Sequence, residues 1–582
     1  MTALATRPLV VANCSGFYGD RLSAMREVLD GGPVDVVTGD WLAELTLLLL
    51  GRQQLKDPTA GWARTFLTQL EDCLGTAVQQ GVRIVANAGG LNPAGLAAAV
   101  TTLAERLGLD VRVATVAGDD LLGRLDLVRA GEHPPGDRPV TGALTANAYL
   151  GCWGIVEALT TGADIVVTGR VTDASLVVGP AAWHHGWTRG DLDQLAGATV
   201  AGHVLECGTQ ATGGNFSFFT ELLDADASAY DSVGFPLAEI ARDGSFVVTK
   251  HPGTGGAVTV ETVTEQLLYE CTGAAYGGPD VVTRFDTLTL AQVGPDRVSV
   301  GGATGLPPTG WLKVATNALG GWRNSVTLPL TGLQVERKAA LLQRQLAPVL
   351  AGIAEVEMVL TRTDTPDADT EEQASALLHV SVKDPSRDRV GKAFTAPVVE
   401  LGLSSIPGFH AGSAPSTPSA YGVYSPAWVS AADVPSVVTL PDGTVHEIPA
   451  TEGSPWRVGL PEPAPLPSPP GGPTRRVPVG TVFGARSGDK GGAVTLGVYA
   501  RSDPGFGWLL DCLTVTRLQQ LLPEAEDLEV TREVLPGLRA VLFQVPGLLG
   551  LGVAAGTRFD PQGKAVGEWL RSRLVDLPES LL

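Results

Sequence analysis

The chain has 582 residues and carries 41 Lys and Arg against 62 Asp and Glu, which gives a formal net charge of −21 at pH 7. Hydrophobic residues make up 44% of the sequence and charged residues 18%, so most of the chain can bury a core and extensive disorder is excluded. The acidity argues against nucleic acid or an anionic membrane surface as a partner, because neutralising phosphates requires clustered Lys and Arg.

The lengths of the apolar runs and the spacing of the cysteines exclude further classes of protein. No apolar run reaches the roughly 18 residues that a membrane-spanning helix needs, and the N-terminal residues lack a secretory pattern. We therefore expect a cytoplasmic protein without a membrane partner. The six cysteines are scattered, which indicates neither a disulfide scaffold nor a zinc cluster. Motifs with the spacing typical of metal, nicotinamide or ATP sites are missing, so the sequence predicts no metal and no cofactor.

The first part of the chain alternates short apolar strands with polar loops and helices. The predicted strands are Pro8–Val11, Val34–Val37, Arg83–Ala86, Val111–Val116 and Asp164–Thr168. This pattern predicts an α/β fold with a mostly parallel, doubly wound sheet over residues 1–200. Helices are predicted to begin at Asp20, as N-cap, and at Trp41. The loops after parallel strands share one edge, where ligands bind, so their polar side chains are expected to share a cleft.

The pattern changes after Ala201. Gly-rich irregular segments and then alternating runs predict an α+β second lobe over residues 201–460 that closes over the first. Seven prolines in thirteen residues predict a semi-rigid linker over 461–475. Residues 476–582 are predicted to form strand, Ser-Gly-Asp-Lys loop, strand, helix, strand, strand and helix, an order typical of a small ferredoxin-like α+β module.

The loops after the first two predicted strands contain candidate site residues. Ser15 and Gly16 belong to a Gly-rich loop whose backbone N–H groups could bind a phosphate at a helix start. A tight strand-to-helix turn is the simpler alternative. Asp40 follows the second strand and is expected to assist in acid–base chemistry.

The loop after the third strand combines two glycines with two amides. Asn87, Gly89, Gly90 and Asn92 could together bind a carboxylate, phosphate or thioester oxygen at a helix N-terminus. The alternative is structural, since Asn readily caps helices and stabilises left-handed turns.

An arginine follows the strand that ends at Thr168. Arg170, at the predicted ligand edge, must find an anion, either a substrate carboxylate or phosphate or the nearby Asp173. We expect Arg170 to bind substrate and Asp173 to assist in catalysis.

A carboxylate, a thiol and an imidazole lie close together after Ala201. Glu206 is the predicted general acid or base, beside His203 and Cys207. Cys207 is either a residue that contacts substrate or a small buried residue. Asn215 follows in the same Gly-rich stretch and is also assigned to substrate binding.

The C-terminal module has one compact charged loop, with Arg486, Asp489 and Lys490 among glycines. Lys490 is expected to bind substrate by inserting into the cleft of the same or a neighbouring subunit. An exposed turn with an Asp–Lys pair is the alternative.

Several strings carry a resemblance to a known family: Ser15–Asp20, Asp40–Glu44, Asn87–Pro93, Asn147–Gly151, Ala163–Asp173, Leu205–Phe216 and Arg486–Gly491. In this order they resemble the acyclic terpene utilisation (AtuA-like) proteins over nearly the whole chain, and the tail resembles that family's ferredoxin-fold domain. Gly492 and Ala493 depart from the pattern, where a further Asn is expected. Asn147, within one string, completes the predicted substrate-binding set.

The resemblance implies a role near the breakdown of acyclic terpenoids, such as citronellol and geraniol, through branched acyl-CoA thioesters. The residue inventory suits a lyase that adds or removes water, or cleaves a C–C bond, next to a thioester carbonyl, with Glu206 as base or acid and Arg170 holding the substrate anion. Two alternatives remain: a non-catalytic partner or scaffold subunit of an acyl-CoA-processing complex, and a tailoring enzyme for a hydroxylated secondary metabolite. A homo-oligomer that takes a small-molecule acyl substrate is expected.

Overall fold

The computed structural model describes residues 7–129, 142–413, 415–454 and 466–582. The first five residues of the predicted Pro-rich linker, 461–465, lie outside the described residues.

The described residues form strands and helices throughout the chain. The strands are β1 (Leu9–Asn13), β2 (Val36–Gly39), β3 (Arg83–Ala86), β4 (Val113–Ala117), β5 (Ala143–Ala148), β6 (Ile165–Thr168), β7 (Pro236–Ile240), β8 (Phe246–Lys250), β9 (Ala275–Gly277), β10 (Val282–Arg284), β11 (Thr289–Gly294), β12 (Arg297–Gly301), β13 (Thr304–Leu306), β14 (Trp311–Thr331), β15 (Glu355–Thr361), β16 (Ser375–Asp384), β17 (Ser419–Ser430), β18 (Ser436–Thr439), β19 (Val445–Ile448), β20 (Thr474–Pro478), β21 (Phe483–Lys490), β22 (Ala493–Ala500), β23 (Thr531–Leu535), β24 (Ala540–Val545) and β25 (Leu574–Pro578). The helices are α1 (Ala24–Gly31), α2 (Glu44–Gln54), α3 (Arg64–Gln80), α4 (Pro93–Leu107), α5 (Trp153–Thr160), α6 (Ser175–His185), α7 (Leu192–Glu206), α8 (Phe219–Ala225), α9 (Val260–Leu268), α10 (Val335–Leu350), α11 (Lys392–Glu400), α12 (Asp503–Cys512), α13 (Val515–Leu521) and α14 (Val566–Arg571).

The largest sheet has the strand order β11-β12-β8-β7-β1-β2-β3-β6-β4-β18-β19. Its five central strands, β1, β2, β3, β6 and β4, pair in parallel. Strands from later in the chain extend both edges by antiparallel pairing. The predicted mixed α/β fold with a large sheet is confirmed, and the antiparallel extensions were not predicted.

Helices cover both faces of the central strands. Successive residues of β1 point to two different cores: Val11 packs with α5, α6 and α7, and Ala12 packs with α1, α3 and α4. Because both faces are buried, these strands are mainly apolar. Their carboxyl ends therefore carry the polar loops that build the site.

Two helices begin later than predicted, at Ala24 and Glu44. The predicted N-cap Asp20 instead accepts hydrogen bonds from the backbone N–H groups of Gly16 (2.9 Å) and Arg21 (2.8 Å). The carboxylate thus holds the loop after β1 in shape rather than starting α1.

The stretch predicted to be irregular after Ala201 begins as a helix, because α7 continues to Glu206. Gly202 lies inside that helix, at a point where the helix packs closely against Ala174. A Cβ atom at Gly202 would lie 2.6 Å from the Cα atom of Ala174. The glycine therefore permits close helix packing and does not mark a loop.

The chain divides into two compact units. The main unit comprises Met1–Asn317, Tyr424–Val553 and Gln562–Leu582, and the small unit comprises Ala318–Val423 and Ala554–Pro561. In the small unit, α10 and α11 cover a sheet formed by β15, β16 and the second part of β14.

The C-terminal part of the main unit is a ferredoxin-like α+β module, as predicted. Its antiparallel sheet has the order β21-β22-β24-β23, and its helices enclose a separate core. The Ser-Gly-Asp-Lys segment lies at the end of β21, and Gly491-Gly492 form the turn that was predicted four residues earlier.

A buried carboxyl group joins this module to α9. Glu265 accepts hydrogen bonds from the Ser217 backbone N–H (3.1 Å) and from the Tyr499 hydroxyl (3.1 Å). The Ser217 hydroxyl in turn donates to the Ala485 carbonyl (3.0 Å) on β21. Burial raises the pKa of Glu265 to about 7, so folding favours its protonated form.

We predict that Glu265 makes stability depend on pH. Between its ordinary pKa of 4.5 and about 7, the folded protein holds a proton that the unfolded chain releases. The free energy of unfolding should therefore fall as pH rises through this window, by on the order of 3 kcal/mol more in the wild type than in Glu265→Gln. Urea unfolding from pH 4 to 8 measures this difference, and parallel curves for the two proteins would contradict it.

Candidate functional site

The loops after β1 and β2 meet the end of α7. The Asp40 backbone N–H donates to the carbonyl oxygen of Ser15 (2.9 Å). Gly16 lies against Cys207, because a Cβ atom on Gly16 would lie 2.8 Å from the Cys207 carbonyl carbon. Ser15, Gly16, Asp40 and Cys207, which belong to three separate predicted loops, therefore lie next to one another.

We predict that Gly16→Ala destabilises the protein by about 1–3 kcal/mol, because the added methyl group would press on fixed backbone. Gly75→Ala is the matched control. Gly75 is exposed within α3, and nothing lies within 4 Å of a Cβ atom there. That control should gain about 0.5–1 kcal/mol from helix propensity. Equal unfolding free energies for the two variants would contradict the close packing at Gly16.

Asp40 is a buried carboxyl group held by an amide. Its Oδ1 accepts hydrogen bonds from the Leu42 backbone N–H (3.0 Å) and from the Asn87 side chain. The Asn87 Oδ1 accepts from the Trp41 backbone N–H (2.7 Å), so Asn87 is itself fixed. Burial, together with the charge of Asp173, raises the pKa of Asp40 well above its ordinary value despite the opposing charge of Arg170.

Arg170 is the central cation, with 3% of its side chain exposed. It donates to Asp173 Oδ1 (2.6 Å) and to the Leu42 carbonyl (3.1 Å), and its guanidinium lies 4.0 Å from the Tyr149 ring centroid. Although burial opposes its charge, the nearby acidic groups raise the pKa of Arg170 further. The Nε atom has no hydrogen-bond partner in the described part of the chain. Arg170 thus ties the loop after β6 to the loop after β2.

The last turn of α7 presents a buried acid–imidazole pair. His203 Nδ1 lies 3.1 Å from Glu206 Oε1, and Nε2 donates to the Leu267 carbonyl (3.3 Å). Burial raises the pKa of Glu206, and the charge of Asp173 adds to this effect. Burial would lower the pKa of His203, but the Glu206 carboxylate outweighs it and raises that pKa. Glu206 and His203 therefore form a close, buried acid–imidazole pair at the end of α7.

The C-terminal module contributes a lysine to the same cluster. Lys490 Nζ donates to Glu270 Oε2 (2.7 Å), with 24% of the lysine side chain exposed. Burial opposes its charge, but Glu270, Tyr276 and Glu44 together raise the pKa of Lys490 well above its ordinary value. Burial raises the pKa of Glu206, and the charge of Lys490 opposes this rise.

Comparison with known proteins decides the family. The family model described as "Acyclic terpene utilisation family protein AtuA" matches residues 9–440. The chain belongs to the AtuA family. The model described as "AtuA ferredoxin-like domain" matches residues 477–576 of this AtuA family member, which confirms the predicted resemblance for both parts. The family implies involvement in acyclic terpene utilisation. No curated protein matches the chain.

Some predicted binding residues of this AtuA family member already have protein partners. Asn92 caps α4 by accepting from the Gly95 backbone N–H (2.9 Å) and also donates to the Thr59 carbonyl (3.0 Å). Gly89 and Gly90 are packed, since Cβ atoms there would lie 2.5 Å from the Thr168 carbonyl and from a Leu50 methyl group. The structural alternative therefore describes most of this loop, and Asn87 positions Asp40.

Asn147 and Asn215 are hydrogen-bonded to other residues of the chain. Asn147 Nδ2 donates to Asp119 (2.8 Å), whose other contact is the Arg170 backbone N–H (2.9 Å), and Asn147 Oδ1 is buried without a partner among the described residues. Asn215 has a left-handed backbone and binds Arg486 through its carbonyl (2.8 Å).

Burial raises the pKa of the Cys207 thiol well above its ordinary value, so Cys207 is not an activated thiolate.

Other site residues were missed by the sequence analysis. Tyr149 stacks on Arg170, and Lys313 lies near the rings of Tyr149 and Tyr424. Lys313 Nζ is also 3.3 Å from Glu44 Oε1. Tyr149 and Glu44 belong to family strings, which was an unused signal. Lys313 and Tyr424 lie in strands far along the sequence, where no local pattern marks them.

The described residues contain no group of three or more His, Cys, Asp and Glu side chains that could hold a metal ion. In the same part of the chain, none of the helices combines the length and the apolar character needed to cross a membrane.

Proposed function

We propose that this AtuA family member is a lyase that adds or removes water, or cleaves a C–C bond, next to the carbonyl of a branched, terpenoid-like acyl substrate bound as a CoA thioester. The observation that carries this proposal is the buried Glu206–His203 pair, in which one proton can be held near the cation Lys490. Such a pair suits proton abstraction next to a carbonyl, where a cation stabilises the developing enolate oxygen.

The two carboxyl groups support separate roles. In the dehydration direction, Glu206 as a carboxylate removes the proton from the carbon next to the carbonyl, and His203 shares that proton. Asp40, whose pKa burial raises well above its ordinary value, gives its proton to the leaving hydroxyl group, which departs as water. Hydration is the reverse, so the proton count balances in both directions. Burial raises the pKa of both carboxyl groups, but at Glu206 the charges of His203 and Lys490 oppose this rise, which favours Asp40 as the acid and Glu206 as the base.

Asn87 and Asp173 are positioning residues in this scheme. Asn87 holds Oδ1 of Asp40, and Asp173 pairs with Arg170 and keeps its guanidinium in place. The lysine of the C-terminal module binds Glu270 of the same chain, which supports a module that completes the site rather than one that docks a partner.

The proposal is tested by mass spectrometry after incubation with branched enoyl-CoA and 3-hydroxyacyl-CoA thioesters in ¹⁸O-labelled water. Gain of one labelled water by an enoyl thioester, or loss of one unlabelled water from a 3-hydroxyacyl thioester, establishes hydratase or dehydratase chemistry, and loss of a two-carbon fragment establishes C–C cleavage. No change across the thioesters and the free acids, with the protein folded, would contradict the proposal.

A further inference from the structure

A buried lysine lies between two tyrosine rings at one side of the site. Lys313 Nζ is 4.9 Å from the ring centroid of Tyr149 and 5.6 Å from that of Tyr424. Burial opposes the charge, but the two tyrosines and Glu44 raise the pKa of Lys313, so it is an ammonium group. Of the three ammonium protons, one is directed to Glu44.

The two tyrosine hydroxyls have no hydrogen-bond partner among the described residues. Tyr149 and Tyr424 are only 7% and 8% exposed, so bulk water does not compensate for this. Buried polar atoms are almost always hydrogen-bonded, because an unpaired one costs the full desolvation penalty of the group. Arg170, which stacks on Tyr149, has an unpaired Nε atom as well. A group that is not part of the chain therefore fits here.

The chemistry of these groups indicates what that group is. An ammonium and a guanidinium only donate hydrogen bonds, and a tyrosine hydroxyl donates when protonated. Burial raises the pKa of Tyr424, so it stays protonated. The complementary ligand is an anion with several acceptor oxygens. Burial opposes the charge of Glu44, but Lys313, Lys490 and Arg170 lower its pKa to about 2, so Glu44 balances Lys313 while Asp173 balances Arg170. A singly charged carboxylate therefore adds less uncompensated negative charge to these donors than a phosphate dianion would.

We propose that Tyr149, Lys313 and Tyr424 form a binding site for a free carboxylate of the substrate, distinct from the carbonyl at which Glu206 acts. This assignment rests on the proposed function only for the identity of the molecule that bears the carboxylate. It defines the substrate class as acyl compounds with a second, ionised acid group. Arg170 stacks on Tyr149 and its charge also acts on Asp40, so a carboxylate held here would fix the orientation of the reacting chain.

The site is tested by thermal unfolding at constant ionic strength with three probes: 3-methylbutanoate, its neutral amide 3-methylbutanamide, and inorganic phosphate. The carboxylate should raise the melting temperature of the wild type, and the amide should not. In Tyr424→Phe the apparent Kd for the carboxylate should weaken roughly tenfold. The melting temperature of this variant without a probe should equal or exceed that of the wild type, because the lost hydroxyl has no partner.

Tyr230→Phe is the matched control, since the Tyr230 hydroxyl donates to the Gly213 carbonyl (3.0 Å). This variant should be less stable without a probe yet respond to the carboxylate as the wild type does. Equal carboxylate responses in the wild type and in Tyr424→Phe, no response of the wild type, or an equal or larger response to phosphate would each overturn the carboxylate site. A carboxylate response without turnover of any thioester would keep this site and overturn the proposed function.

Discussion

Glu206→Gln is expected to lower turnover of the branched acyl thioester by about 10²–10⁴-fold, the usual contribution of a general acid or base. The amide has the size and shape of the carboxyl group and can still contact His203 Nδ1, which lies 3.1 Å from Glu206 Oε1. It cannot accept a proton from substrate. Steady-state kinetics should show the loss in kcat, with KM changed much less.

Glu265→Gln is the matched control, because Glu265 is also a buried carboxyl group with a raised pKa in the same unit. Its partners are Ser217 and Tyr499, which take no part in the site. This variant should keep turnover within about twofold of the wild type. Equal activities for Glu206→Gln and Glu265→Gln would show that Glu206 carries no proton in the reaction.

Arg170→Met is expected to lower the free energy of unfolding by about 3 kcal/mol, because removing one partner of a buried ion pair leaves the other uncompensated. The loss is at the lower end of the usual range since Asp173 is 25% exposed. The variant also loses the contact with the Leu42 carbonyl and the stacking on Tyr149. Urea unfolding measures the loss, and binding of 3-methylbutanoate should weaken in the same variant.

Arg189→Met is the control that separates the effect of losing an ion pair from the effect of losing aromatic stacking. Arg189 stacks on Trp153 at 5.0 Å and donates to the Pro449 carbonyl (2.7 Å), so this control should cost about 1 kcal/mol. Adding Asp173→Asn to Arg170→Met should recover part of the lost stability, because the unpaired carboxylate is removed. Equal losses for the two arginine variants, or no recovery in the double variant, would contradict a central role of the ion pair.

Local sequence patterns predicted the parts of the site that lie at strand ends. Asp40 and Arg170 follow parallel strands, and the rule that such ends share one edge placed them in the predicted cleft. The mixed α/β fold and the ferredoxin-like module were likewise predictable, since strand and helix periods are local. Asn92 shows the limit of this reasoning, because the same Asn-Pro pattern describes a helix cap.

Contacts between distant segments were not predictable. Glu206 was predicted to lie beside His203, but the helix face that pairs the two side chains was not predicted, because the glycines of α7 were taken as a loop signal. Lys313 and Tyr424 reach Tyr149 from strands far along the chain. No local period encodes such packing, which depends on how the strands pair.

Solvent exchange at the carbon next to the carbonyl tests the central claim most directly, because loss of a proton from this carbon precedes water loss and return of a proton to it completes C–C cleavage. The purified protein is incubated in D2O with a saturated branched acyl-CoA thioester, and deuterium uptake is followed by NMR. Uptake by the wild type, reduced at least a hundredfold in Glu206→Gln and unchanged in Glu265→Gln, is the predicted result. No uptake by a folded wild type to which the thioester is shown to bind would contradict proton abstraction by Glu206.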